Sequence, residues 1–343
     1  MKSAMANPVG MKDVARAAGV SMGTVSNVLN RPELVSPETR DQVQLVIRRL
    51  GYVRSESARQ LRAGQSRLLA LLVLDMGNPF FVDVARGAGR VGQQAELGVM
   101  VCNSDQSPGT EADYLEMFAE QRVRGVLVTP ADSTGRSLEV LRRHDIPFVL
   151  VDRQAQGVHG CSVSVDDVAG GALALRHLIA AGHRSIAFVS GPPELAQIRD
   201  RRDGALQAVA EAGLPAETLV ELATQRLDVA AGRDAGARLL GLANRPTAVF
   251  TANDLIALGL LQAMFAAGVR VPQDIAIVGY DDIEFAAAAA VPLTSVRQPA
   301  ESMGALAAEL LLEESGDRAE AHSHRQVVLQ PELVVRASTM VRR

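Results

Sequence analysis

Four short apolar runs in this 343-residue chain end on side chains equipped for hydrogen bonding. Asn78, Phe80 and Phe81 follow Leu68 to Leu74; Asp152 and Arg153 follow Phe148 to Val151; Asn253 and Asp254 follow Ala248 to Thr251; Asp281 and Asp282 follow Ile275 to Gly279. Amides donate and accept, carboxylates accept and a guanidinium donates, so the chemistry on offer is recognition of a bound ligand. Bond-breaking chemistry has no comparable pattern. His144, His177 and His183 are scattered, and neither H-E-x-x-H nor G-x-S-x-G occurs. His322 and His324 sit in a polar loop, where solvated side chains are expected over a chance metal site. Gly87-Ala88-Gly89-Arg90-Val91-Gly92 spells G-x-G-x-x-G, but it lies well past the nearest strand, inside a run with helical apolar spacing. It therefore reads as small residues at a helix contact, not as a dinucleotide-binding turn. No catalytic residue, metal or cofactor is expected.

The elements that must position these residues alternate along the chain. Strands are predicted at Leu68 to Leu74, Val99 to Cys102, Gly125 to Val128 and Phe148 to Val151, then at Ser185 to Val189, Ala248 to Thr251 and Ile275 to Gly279. Helices are predicted at Phe81 to Leu97, Val168 to Ala181, Asp203 to Ala212 and Leu255 to Ala267. This is an α/β body of parallel strands in two similar lobes, and an open parallel sheet gathers ligands beyond the carboxyl ends of its strands. No apolar run approaches the ~20 residues needed to span a bilayer, so no membrane partner is expected. The start of the chain lacks an apolar signal segment, and Cys102 and Cys161 lack C-x-x-C spacing, which together point to reduced thiols in a cytoplasmic protein.

The net charge of −4 conceals a division. Residues 1–67 carry eleven Lys or Arg against five Asp or Glu, a net +6; the remainder carries 24 against 34, a net −10. A basic head on an acidic body suggests that the head alone meets a polyanion. Met11 to Ala18 places Val14, Ala15 and Ala18 on one helical face before Gly19. Ser21 then caps a second helix whose Val25, Val28 and Leu29 form its apolar stripe. A third helix fits Ser36 to Leu50, with Pro37 at its first position. Helix, glycine turn, helix is the helix-turn-helix pattern, in which the second helix offers its first residues to the major groove.

Through MKDVARAAGVSMGTVSNVLNRPELVSPETRDQV and LGYVRSESARQLRAG the head resembles the LacI/GalR repressors. The resemblance implies that Met22, Gly23 and Asn27 read bases, while Thr24, Ser26 and Asn30 contact phosphates or frame the helix. Gly23 has no side chain with which to read a base, so specificity there would come from neighbours or DNA shape. It further implies a hinge helix over Ser55 to Arg62, in which Leu61 wedges into a central base step, Ala58 lies on the helix contact surface and Arg62 seeks phosphate. Arg54 stands where relatives often have proline.

The body, from Leu68 to about Arg336, resembles the two-lobed, type I periplasmic-binding-protein fold of the same family, with parallel sheets. Ribose-type sugar binders of that superfamily match at Asn78, Phe80, Phe81, Asp152, Arg153, Arg199, Asn253, Asp281 and Gln298. Carboxylates and Arg suit vicinal hydroxyls, and a Phe ring covers an apolar sugar face. Asp281 and Arg199 also read as salt-bridge partners, Asn78 as a turn residue before Pro79, and Leu227 replaces an aromatic common in ribose binders. The implied organisation is a DNA-binding domain over 11–54, a hinge and linker over 55–66, and an effector-binding and dimerisation domain over 67–343. Its first lobe covers about 67–163 and 296–328, its second about 164–295 and 329–343. The expected function is a repressor of carbohydrate-utilisation genes that binds a pseudo-palindromic operator as a homodimer and responds to a small sugar, a ribose-like pentose first. A dimer rather than a tetramer is expected because no C-terminal leucine heptad follows Thr339. The alternatives are the same regulator sensing a purine or other metabolite, or an unexported sugar receptor.

Overall fold

In the computed structural model, which describes residues 9–53, 66–132, 134–155, 159–316 and 322–340, the chain divides into two compact units, Met1–Ser66 and Arg67–Arg343. The first unit holds helices α1 (Met11–Ala18), α2 (Met22–Asn30) and α3 (Pro37–Leu50). Gly19 ends α1 at φ 67°, a left-handed conformation in which a side chain is strained. The Ser21 side chain accepts from the Thr24 backbone N–H at 3.0 Å and so starts α2 two residues later. Ser36 caps α3 in the same way, with Pro37 at its first turn. Val14, Ala15, Ala18, Val25, Val28 and Val43 close the core, and Gln42 Nε2 donates to the Ala18 carbonyl at 2.9 Å, tying α3 to the end of α1. The predicted hinge helix, with Ala58, Leu61 and Arg62, lies outside the described residues.

The second unit contains two six-stranded sheets. The first runs β2 (Gly98–Asn103), β1 (Leu68–Val73), β3 (Gly125–Val128), β4 (Phe148–Val151), β5 (Cys161–Val165) and β11 (Gln326–Leu329). The second runs β7 (Leu219–Ala223), β6 (Ile186–Ser190), β8 (Ala248–Thr251), β9 (Ala276–Asp281), β10 (Thr294–Arg297) and β12 (Glu332–Val334). Every pairing is parallel except β10 with β12. The chain crosses between sheets after β5, after β10 and between β11 and β12. Because the nine parallel pairings need helical connections across the sheet faces, the central strands are buried throughout and read as continuous apolar runs.

Around the first sheet lie α4 (Pro79–Gln94), α5 (Pro108–Glu120), α6 (Glu139–Arg143) and α12 (Ala300–Glu314); around the second lie α7 (Asp167–Ala180), α8 (Ala196–Glu211), α9 (Val229–Leu240), α10 (Asp254–Ala266) and α11 (Glu284–Ala288). The G-x-G-x-x-G run falls inside α4. A Cβ on Gly87 would lie 2.0 Å from the Glu301 carbonyl oxygen, and one on Gly304 would lie 1.9 Å from that of Val84, so these glycines let α4 and α12 meet backbone to backbone. Gly171 and Gly204 serve the α7 and α8 pair in the same manner. Among the described residues no helix is long and apolar enough to cross a membrane.

Candidate functional site

The carboxyl ends of the two sheets face one another across a cleft, and the side chains there close a small cavity. Asp152, directly after β4, and Asp281, the last residue of β9, both have positive φ, 57° and 104°. Non-glycine residues hold such backbone only where their surroundings over-determine it, a condition common at ligand sites. Asp281 Oδ2 accepts from Asn78 Nδ2 at 2.9 Å and Oδ1 from Gln298 Nε2 at 2.7 Å. Asp152 accepts from Gln197 Nε2 at its carbonyl, 2.8 Å, and at Oδ2, 3.0 Å. Both the Asn78 and the Gln197 bonds run from one lobe to the other, and the ion pair of Arg226 with Asp105, 2.9 Å, adds an exposed latch at the rim. Phe80 and Phe81, packed edge to face with centroids 5.0 Å apart, join Leu195, Ile198 and Leu227 as the apolar walls.

Beneath the carboxyls lies a buried cation. Arg201 Nε donates to Asp167 Oδ1 at 2.8 Å and Nη1 to the Ala252 carbonyl at 2.6 Å, with the guanidinium 3.7 Å from the Tyr280 ring centre. Tyr280 completes the group by donating its hydroxyl to Asp167 Oδ1 at 2.8 Å. Burial alone would lower the pKa of Arg201, but Asp167, Tyr280, Asp281 and Asp152 around it raise it above the ordinary value. Burial and the nearby Asp167 push the Asp152 carboxyl up to about 8, against the pull of Arg201, and burial raises Asp281 as well. A carboxyl raised in this way favours its protonated form near neutral pH. Since Oδ2 already accepts from Gln197, the proton belongs on Oδ1, which has no partner among the described residues, and there it can donate to a ligand. Gln298 Oε1 is likewise buried without a partner and can only accept.

In the first unit, α2 buries Val25 and Val28 and leaves Met22 and Gly23 of its first turn, and Asn27 past its middle, exposed. Asn30 Nδ2 donates to the Ser26 carbonyl at 2.7 Å and to its hydroxyl at 3.2 Å, while the Thr24 and Ser21 hydroxyls lie 2.9 Å apart. Polar contacts within the helix thus hold one set of side chains, and the remainder of that face is turned outward.

Residues 10–55 match the family described as bacterial regulatory proteins, lacI family, and residues 175–339 match a periplasmic binding protein-like domain. The HTH-type transcriptional repressor PurR of Photobacterium profundum is 35% identical over 96% of this chain and 98% of its own. The chain belongs to the LacI family. Among solved structures, the Lac repressor dimer bound to operator and the anti-inducer ONPF is similar with a TM-score of 0.84 and 27% identity, covering 98% of this chain and 100% of that one. A LacI family transcriptional regulator from Enterococcus faecium with bound ribose is similar with a TM-score of 0.72 and 30% identity, covering 79% and 98%.

Of the nine effector residues expected in this LacI-family repressor, the fold brings Asn78, Phe80, Phe81, Asp152, Asn253, Asp281 and Gln298 to the cavity wall. Arg153 and Arg199 do not line it; they border an adjoining polar recess that shares Asp152 and Gln197 with the cavity. Arg199 is exposed and donates to the carbonyls of Pro193 and Glu194, both at 2.9 Å. The inward guanidinium is instead Arg201. Two residues along a helix is about 200° of rotation, so Arg199 and Arg201 cannot both face the sheet. Sequence reading missed Arg201 and Gln197 because the predicted helix started at Asp203, whereas α8 starts at Ala196. The available signal was spacing: Ile198, Arg201, Ala205, Ala208 and Val209 fall on one helical stripe.

The adjacent residues singled out with them serve the fold. Asn253 caps α10 by accepting from Ile256 N–H at 2.9 Å and donates to the Leu227 carbonyl at 3.0 Å. Asp254 is fully buried, accepting from Ser295 Oγ at 2.7 Å and Ile283 N–H at 2.9 Å. Asp282 pairs with Arg297 at 2.7 Å and with Arg336. Asn78 serves as the turn residue before Pro79, accepting from Phe80 N–H at 3.1 Å as a helix cap, while its amide nitrogen reaches Asp281 at 2.9 Å.

The raised carboxyls make stability pH-dependent. The unfolded chain releases the Asp152 proton near its ordinary value of 3.8, while the folded chain holds it to about 8, so the folded state binds more protons in between. Stability from this group is fully present below the lower value and is lost as pH rises through the upper one. Asp152→Asn should therefore flatten the decline of Tm between about pH 4 and pH 8, leaving a residual slope from Asp254 and Asp281, whose pKa values are raised in the same direction. Differential scanning fluorimetry across that range checks this; an unchanged slope would contradict a protonated Asp152.

Proposed function

We propose that this LacI-family repressor binds a pseudo-palindromic operator as a cytoplasmic homodimer, turning Met22, Gly23 and Asn27 of α2 to the bases and reading them with the Met22 and Asn27 side chains, and that a pentose sugar of the ribose type occupies its cleft and sets operator affinity. The observation that carries the ligand reading is the pair of buried, unpartnered oxygens, Asp152 Oδ1 and Gln298 Oε1, beside the carboxyl of Asp281. One donates and one accepts, as a sugar hydroxyl requires of its neighbours. Phe80 and Phe81 offer the apolar surface that a sugar ring face covers. The ribose-bound regulator of similar fold supports the same reading. Pairing two helix-turn-helix heads on one palindrome supports the dimer, because a single head reads only a half-site.

Closure of the lobes is where the ligand acts. The Asn78–Asp281 and Gln197–Asp152 bonds span the cleft, so a sugar bridging the same groups biases the closed arrangement. Coupled to the head through the segment joining the two units, such a bias is worth about 5- to 150-fold in operator affinity.

A thermal-shift panel of D-ribose, other pentoses, hexoses, purine bases and nucleosides tests this reading, since a ligand at 100 times its Kd adds about 2.7 kcal/mol. D-ribose should raise Tm and change operator affinity in a gel shift, and Asn27→Ala should weaken operator binding while leaving that Tm shift intact. A response to purine bases with none to pentoses would overturn the sugar assignment while leaving the DNA-binding reading in place.

A further inference from the structure

The first sheet carries a second constellation at the amino-terminal end of β5, away from the carboxyl strand ends that border the cleft and unused by the reading above. Cys161, the first residue of β5, is buried, and its Sγ lies 3.1 Å from His322 Nε2 and 3.9 Å from His324 Nδ1. Glu314, the last residue of α12, places Oε1 3.3 Å from the same His322 nitrogen and 3.1 Å from the same His324 nitrogen. The two histidines that read as solvated loop residues are thus folded onto a buried thiol and a carboxylate whose side chain is only 7% exposed. The four ligand atoms all lie within 4.8 Å of one another. We propose that Cys161, Glu314, His322 and His324 form a tetrahedral site for a divalent transition-metal ion, zinc by preference, which staples the end of α12 to strands β5 and β11.

The spacing is that of a coordination shell. Bond lengths of about 2.3 Å to sulfur and about 2.0–2.1 Å to nitrogen or oxygen give tetrahedral edges of roughly 3.3–3.6 Å. The observed separations of 3.1, 3.3 and 3.9 Å bracket that range, and all four atoms lie within 4.8 Å of one another, so a central ion draws the side chains together by about 1 Å at most. The surroundings orient the ligands as metal sites do. His322 Nδ1 faces Glu313 Oε2 at 3.5 Å, so a proton on Nδ1 points at that carboxylate and leaves the Nε2 lone pair aimed into the cluster, the carboxylate–histidine arrangement that supports a bound metal. The Arg325 backbone N–H donates to Cys161 Sγ at 3.2 Å and fixes the position of the sulfur. His159 packs edge-on to His324, centroids 4.5 Å apart, and covers one side.

With the Nε2 lone pair, a carboxylate oxygen and sulfur converging, the inward atoms are acceptors, and a cation satisfies them together. One sulfur and two imidazoles select zinc or a similar borderline ion over magnesium or calcium, which take oxygen ligands. The site is separate from the sugar cleft, so its test stands apart from the ligand reading.

Full-length protein stripped with a chelator and titrated with Co2+ provides the probe. We expect saturation at one ion per chain, with a thiolate-to-cobalt charge-transfer band, intense visible absorption of tetrahedral cobalt, and displacement of both by Zn2+. Cys161→Ser should abolish the charge-transfer band, and Cys102→Ser should leave it unchanged. His324→Ala, at a partly exposed position that tolerates truncation, should retain the band but lower zinc affinity more than 10-fold, and Glu313→Gln should lower it about 10- to 100-fold. Weak, unsaturable absorption, or a charge-transfer band that survives in folded Cys161→Ser, would overturn the assignment.

Discussion

Asp281→Ala is expected to lower the affinity of the cleft for its small-molecule ligand by about 100-fold or more, because hydrogen bonds to a charged group are worth about 1.5–3 kcal/mol each and two are lost with this carboxyl. Asn78 Nδ2 and Gln298 Nε2, which donate to it from opposite lobes or strand ends at 2.9 and 2.7 Å, are left as buried donors without an acceptor. Closure of the lobes over the ligand is weakened at the same time, since the Asn78 bond is one of the few that cross the cleft inside the cavity. Asp281→Asn retains one acceptor oxygen and turns an N–H toward the other amide, so its loss should fall between those of wild type and Asp281→Ala. Isothermal titration calorimetry with the ligand that raises Tm checks the order, alongside an operator gel shift in the absence of ligand, which the substitution should leave nearly unchanged. Operator affinity that responds to the ligand with wild-type sensitivity in Asp281→Ala would remove this residue from the site.

Arg201→Met should have the largest effect on stability. Arg201 and Asp167 are each only 6% exposed, and the same guanidinium faces Tyr280, Asp152 and Asp281. Taking one member from a buried ion pair leaves an uncompensated charge and costs about 3–5 kcal/mol. At about 2–4 °C per kcal/mol for a domain of this size, Tm should drop by roughly 10 °C. The double variant Arg201→Met with Asp167→Asn should recover part of that loss, because the orphaned carboxylate is then neutral, and the two effects should be clearly non-additive. A Tm for Arg201→Met within experimental error of wild type would show that the buried carboxyls balance themselves by holding protons.

Much of this molecule is legible before folding. Strands at Gly125 to Val128, Phe148 to Val151 and Ala248 to Thr251 are predicted to the residue, because strands buried on both faces must be apolar at every position. The three helices of the head are equally clear, since Gly19, Ser21, Ser36 and Pro37 mark their ends by local backbone chemistry. The edge strands β11 and β12 give no such signal: their residues are at most half-buried, and only their neighbours make them strands.

The amino-acid order by itself determined the family, the α/β class with its helical head, and the strand-end positions from which seven of the nine expected cleft residues reach one cavity, because each depends on periodicity or on a residue's own backbone preference. Tertiary structure alone decided that Arg201, not Arg199, is the buried cation, that burial raises the Asp152 carboxyl, and that Cys161 meets His322 and His324 from across 161 and 163 positions of chain. Those outcomes follow from which helix face meets the sheet and how much water burial removes, quantities set by packing between segments distant in sequence.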